Sequence, residues 1–282
     1  ILKFLFFSYL TEQLISEFCH MEMTLDRVAP LTQTETEKIR LEHFLAAGYS
    51  LRRVGLIENR PDLSHPGILC RKIYPRDFSR RTGISAHATG SLGLLSGCRS
   101  EEAAWEMPVP DLAIYLAVCD VKRDIARRLP VILEWFQANR VGIVVFPWGQ
   151  RSMAAPALKV LSRWHDAGGL FLAAAGNGPL MQPLSPARHA KVICVGALGQ
   201  DGRPLMNTYC GDKVDLWAPG EGIFTLWPRG KIRCVSGTSA SCVLAAGRLL
   251  CLVNGRKQGW NMGYHRLKYA ASRSPPLSPE HL

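Results

Sequence analysis

The chain has 282 residues, of which 47% are apolar and 20% charged, and it carries a formal net charge of +11. That length supports a full core in one large domain or at most two, and the composition is globular rather than disordered or fibrous. No apolar run reaches the roughly 18 residues that a bilayer span needs, and no nucleic-acid module accompanies the positive charge.

Residues 1–48 read as an N-terminal helical extension. Leu2, Phe6, Leu10, Leu14 and Phe18 recur at helical spacing, which describes an amphipathic docking helix; a secretory-signal remnant is the second reading of this apolar start. Thr34–Ala47 is expected to be a helix with Ile39, Leu41, Phe44 and Leu45 toward a core and Gly48 as its stop. A buried strand over 53–57, a loop-rich stretch over 60–83 and a short helix of small residues over 86–96 come next. Then the alternation becomes regular. Strands are expected over 113–118, 142–146, 169–174, 191–197 and 214–217, and helices over 123–139, 155–167 and 239–253. One more short helix, 262–271, precedes a Pro/Ser-rich tail at 273–282 that is expected to fray. Continuous apolar strands spaced by helices require a parallel sheet covered on both faces. The expected class is therefore α/β and doubly wound, with a mostly parallel sheet, over 49–272. In such sheets function gathers where strand ends meet helix starts.

Nine cysteines are scattered singly, with Cys119, Cys194, Cys242 and Cys251 in predicted core. Neither a CxxC pair nor a Cys/His ligand spacing occurs, so no disulfide framework or zinc site is expected. There is no Asn-x-Ser/Thr site either. Reduced thiols point to an intracellular, cytoplasmic setting rather than a secreted one. The densest positive region runs from Arg52 to Arg81. It reads as solvated loops, or as a cleft rim that favours acidic substrates.

Four positions fall at strand-to-helix junctions and could carry chemistry. Glu58 closes its strand, His87 opens its helix, Asn177 follows the strand ending in Ala175-Gly176, and Ser239 follows Gly237-Thr238 at the start of a helix of small residues. The helix's positive end would face an oxyanion formed at that serine. Ser239 needs a base to act as a nucleophile; His87 can take and return its proton; a carboxylate behind the imidazole fixes its tautomer; and the Asn177 amide can donate toward developing charge. Each also has a plainer reading: a helix cap, a satisfied histidine, a turn asparagine, a solvated carboxylate. Their order, acid then histidine then serine, is one known for hydrolytic triads.

On these residues the chain resembles the subtilisin-like serine proteases, the subtilases, from about Arg52 to Gly247. Val54-Gly55-Leu56-Ile57-Glu58, continuing through Asp62 to His65-Pro66, is similar to the family's first block. His87-Ala88-Thr89 resembles the histidine block, Ala174-Ala175-Gly176-Asn177 the oxyanion segment, Ala218-Pro219-Gly220 a later loop, and Gly237-Thr238-Ser239 with Gly247 the nucleophile block. The resemblance implies a serine endopeptidase with Ser239 as nucleophile, His87 as general base, Glu58 as orienting acid and Asn177 in the oxyanion hole. It also implies a peptide or protein substrate bound extended against Trp148, Gly149, Ala175 and Gly176.

The departures define the alternatives. Glu58 stands in place of an aspartate, Asn59-Arg60 replace Thr-Gly, and Arg60 is placed to compete with His87 for Glu58. Pro147 replaces a serine on a substrate-pairing strand, which removes a backbone N–H. Gly67 stands where many members have a calcium-binding aspartate, so neither a metal nor another cofactor is indicated. Two alternatives follow: a degenerate fold that binds peptides or regulates, and a serine acyl-transfer enzyme of a biosynthetic pathway. Asp62 is the fallback carboxylate. Oligomeric state is not legible.

Overall fold

The structure is a computed structural model that describes residues 41–68, 72–79, 83–99, 104–105, 109 and 111–254. The expected extension up to residue 40, the helix at 262–271 and the tail lie outside the described residues. In chain order the elements are α1 (Leu41–Ala46), β1 (Arg53–Glu58), β2 (Ile73–Asp77), α2 (Ala86–Ser96), β3 (Cys98–Arg99), β4 (Ala104–Trp105) and β5 (Ala113–Val118), followed by α3 (Ile125–Ala138), β6 (Ile143–Phe146), α4 (Ala155–Asp166) and β7 (Leu170–Ala174). The last are β8 (Ile193–Leu198), β9 (Leu216–Pro219), β10 (Ile223–Trp227), β11 (Lys231–Val235) and α5 (Thr238–Val253).

Seven strands form one sheet in the order β2-β5-β1-β6-β7-β8-β9, and every neighbouring pair in it runs parallel. The alternation of strand side chains sorts the core into two layers. Val54 and Leu56 of β1 join Leu92, Leu94 and the apolar residues of α5 on one face. Ile57 joins Ile132, Leu133 and Phe136 of α3 and Leu161 of α4 on the other. This is the expected doubly wound arrangement. Glu58 shares the parity of Val54 and Leu56, so β1 delivers its carboxylate to the face where α2 and α5 start.

Five strands were not expected: β2, the short pair β3 and β4, and the hairpin β10–β11. The stretch read as loop contains β2, which has an exposed burial pattern and a central Pro75; a sheet edge tolerates a residue with no N–H to donate. The hairpin β10–β11 pairs antiparallel and packs against α2 through Leu226. A Cβ added at Gly93 would lie 2.5 Å from Leu226 Cγ, so glycine is what lets the hairpin and helix approach. The last expected strand also shifts: β9 covers 216–219 rather than 214–217.

Among the described cysteines, Cys98, Cys119, Cys194, Cys242 and Cys251 are buried thiols, as expected for the core, but Cys210 and Cys234 are exposed. Burial, followed by Asp124 and Asp120, pushes the Cys119 thiol up to about 12, so it stays protonated. No helix among the described residues is long and apolar enough to cross a membrane.

Candidate active site

Both histidine and serine are positioned by helix starts. Ser85 caps α2: its Oγ accepts from the Ala88 N–H at 3.2 Å, which fixes the turn that presents His87. The Thr89 hydroxyl donates to the Ser85 carbonyl at 2.8 Å and accepts from the Asp62 N–H at 3.0 Å, tying the following loop to the same turn. Ser239 is the second residue of α5, directly after Gly237, whose φ is +139°. A Cβ at Gly237 would come within 2.9 Å of Asn177 Nδ2, so both the backbone angle and the close approach demand glycine there.

The side chains then meet. His87 Nε2 lies 3.0 Å from Ser239 Oγ, and His87 Nδ1 lies 2.5 Å from Glu58 Oε1. With the proton on Nδ1, a tautomer assigned from these partners, Nε2 is left to accept from the serine hydroxyl. Glu58 is fully buried, and a buried carboxylate requires donors. It has three: His87, the Asn59 N–H at 2.9 Å and the Ser91 hydroxyl at 3.2 Å. Burial of the His87 ring pulls its pKa down, but the charge of Glu58 and its hydrogen bond outweigh this, with a smaller contribution from the Pro147 backbone; the net direction is upward.

The competition anticipated from Arg60 is absent, because Arg60 reaches Asp77 on β2. Asp62, the fallback carboxylate, is engaged elsewhere. Its oxygens accept from the Ser64 hydroxyl at 2.6 Å and the Arg229 N–H at 2.9 Å. The Ser64 bond, ahead of the Arg229 bond, holds its carboxyl below the usual range. Asp62 is a clamp between a loop and the β10–β11 turn.

Asn177 sits on the other side of Ser239. Its Oδ1 accepts from the Thr238 N–H at 3.0 Å and the Thr238 hydroxyl at 3.1 Å. The amide oxygen is thereby occupied, and Asn177 lines the same pocket as His87 and Ser239. The backbone N–H of Ser239 lies in the first turn of α5, where no intrahelical acceptor exists. The positive end of the helix lies at the same place.

The family model described as the subtilase family matches residues 129–273, just over half of the chain. The chain belongs to the subtilase family. The matched part contains Asn177 and Ser239, whereas Glu58 and His87 precede it and are joined to it by the fold. A thermostable alkaline protease of Halalkalibacterium halodurans is 30% identical to this subtilase over 125 residues, 44% of this chain and 34% of that protein. The minor extracellular protease Epr of Bacillus subtilis is 24% identical over 230 residues, 78% of this chain and 35% of that protein. The chain thus matches about a third of the length of these relatives. Among solved structures, the patellamide maturation protease PatA superposes with a TM-score of 0.63 at 22% identity, covering 77% of this chain and 84% of that one. The PatG macrocyclase in complex with peptide gives a TM-score of 0.62 at 13% identity, covering 78% and 83%. Those two likenesses establish the subtilisin-like fold.

Three of the four residues expected to bind substrate, Trp148, Ala175 and Gly176, are engaged within the protein. Trp148 is buried, with its indole N–H donated to the Ile57 carbonyl at 2.7 Å and its ring edge-on to Phe146; it is core. Ala175 is fully buried, its N–H bound to the Val195 carbonyl and its carbonyl to the Leu184 N–H. Gly176 donates to the Thr238 hydroxyl and accepts from the Tyr209 N–H. Neither backbone is open to an extended peptide. Gly149 is half-buried and pressed against Leu184, whose Cβ would lie 2.5 Å from an added Cβ. An added Cβ at Gly176 would likewise meet Leu180 and Leu184. The observed pocket opens instead between α2, α5 and the β10–β11 hairpin, with Leu94, Trp227, Val235 and Ala240 in its lining. Trp227 and Val235 were not legible because the hairpin that carries them was not expected. Ser91 and Thr238, which hold Glu58 and Asn177, were also missed; Thr238 lay inside the quoted Gly-Thr-Ser motif as a usable signal.

Proposed function

We propose that this subtilase is a serine endopeptidase acting through Ser239, His87 and Glu58, with Asn177 in the oxyanion hole. The observation that carries the reading is the continuous relay from Glu58 through His87 to Ser239, with bonds of 2.5 and 3.0 Å. In the first step His87 Nε2 takes the Ser239 proton as Oγ attacks the peptide carbonyl carbon. The carbonyl π pair moves onto oxygen, which the Asn177 amide and the Ser239 N–H receive. The oxyanion then re-forms the carbonyl, the C–N bond breaks, and His87 returns its proton to the leaving amine. Water repeats the sequence on the acyl-enzyme and regenerates Ser239. Glu58 stabilises the imidazolium. Its extra methylene over aspartate does not lengthen the contact with His87.

Purified protein is expected to be labelled by a fluorophosphonate, to lose labelling in Ser239→Ala, and to lose peptide hydrolysis there by on the order of 10⁶ in kcat, as triads of this kind do. Folded wild-type protein that takes no label would overturn the reading in favour of a peptide-binding fold. Release of a cyclised or amine-capped product in place of a free acid would favour acyl transfer.

A further inference from the structure

We infer that the pocket between α2 and the β10–β11 hairpin is a leaving-group subsite, taking an apolar residue immediately after the cleaved bond and acidic residues beyond it. The inference rests on the hydrolase reading, because the chemistry fixes which side is which. His87 must hand its proton to the departing nitrogen, so the first residue of the leaving segment lies against the element that carries His87. That element is α2, and Ala86, Gly90 and Leu94 line the pocket along with His87. Asn177 receives the carbonyl oxygen.

The lining defines the occupant. Trp227, Val235, Leu94 and Ala240 supply apolar surface. The polar atoms nearby are already bonded within the protein. The Thr225 hydroxyl donates to the Gly90 carbonyl at 2.6 Å, the Ser91 hydroxyl to Glu58 at 3.2 Å, and the Ser236 hydroxyl accepts from the Gly222 N–H at 3.0 Å. A polar side chain entering here would lose water without gaining a partner, whereas an apolar one gains burial. Charge fixes the next positions. Lys231 stands opposite Trp227, and Arg233 opposite Thr225, so both cations share the hairpin face of the pocket residues. Both are exposed, and neither has an ion pair among the described residues. A carboxylate passing along β11 meets two unneutralised cations in a chain that is already strongly basic.

Internally quenched peptides, identical on the acyl side, would carry Leu, Ala, Lys or Glu directly after the bond and Glu or Lys at the following two positions. The wild-type profile alone decides the matter. Leu followed by Glu is expected to exceed Lys or Glu in the first position by about tenfold or more in kcat/KM, within the range a hydrophobic pocket gives. Val235→Trp, which fills the pocket, is expected to erase the preference for Leu over Ala. The double variant Lys231→Glu, Arg233→Glu is expected to reverse the preference for Glu over Lys at the following positions. A wild-type protein that takes the fluorophosphonate label yet cleaves all peptides at similar rates, or prefers a charged first residue, overturns the subsite and leaves the hydrolase standing. Absence of labelling removes both.

Discussion

His87 sets the pH behaviour. Its upward shift comes from Glu58 overcoming burial, and only the neutral ring can accept the Ser239 proton. The acidic limb of kcat/KM against pH is therefore expected to have its midpoint above the ordinary histidine value of about 6.5. Glu58→Gln should move that midpoint down, because it removes the charge that holds the proton. Stability runs the opposite way. A raised folded pKa means the pair stabilises the protein fully below the unfolded value and loses that contribution as pH climbs through the folded one. Urea midpoints measured across this window check the sign. On the proposed mechanism Thr238 positions Asn177, and Thr238→Val removes one of the two donors to its amide oxygen. A fall in kcat of about tenfold with little change in KM is expected, a fraction of the loss for deleting an oxyanion donor outright. Thr238→Ser should restore it. A change confined to thermal stability, with kcat intact, would remove the assignment.

At the scale of elements, the site depends on how closely α2 approaches the hairpin. Gly93→Val would force a side chain into Leu226, and overpacking of this kind typically costs about 1–3 kcal/mol. Denaturant titration should show that loss, and kcat should fall with it because His87 rides on the same helix. What the sequence made legible follows from the same physics. Apolar runs such as Val54–Ile57 and Ile143–Phe146 announced strands because both of their faces are covered. Glu58, His87, Asn177 and Ser239 were legible because their motifs sit at strand and helix ends. β2 was not, since an edge strand with exposed Tyr74 and Arg76 has no apolar signature. The hairpin was missed for a related reason: β11 alternates Lys231, Arg233 and Val235 along one face, and only the last belongs to the pocket. Nothing in Ala175-Gly176 reveals that Val195, Leu184, Thr238 and Tyr209 occupy its backbone groups.

For the molecule as a whole, the sheet divides two cores. Phe136 of α3 lies against Gly55, where an added Cβ would be 2.8 Å from its ring. Phe136 is fully buried, so Phe136→Ala should cost about 3–5 kcal/mol in global stability, as loss of a core aromatic does. Equilibrium unfolding measures it; a cost below about 1 kcal/mol would mean that α3 is not part of the cooperative unit. The proposed oxyanion hole has a different vulnerability. Asn177 is followed by Gly178, and in such a pair the glycine nitrogen can attack the asparagine side-chain carbon, expel ammonia and leave a carboxylate after ring opening. Here the Gly178 N–H is held by the Asn207 carbonyl, and Thr238 grips the amide oxygen. Both restraints oppose ring closure. Warmth that loosens either one would start a chemical clock of the kind that makes asparagine thermolabile: an ageing enzyme would fall silent while still folded, its lost ammonia detectable at that single peptide.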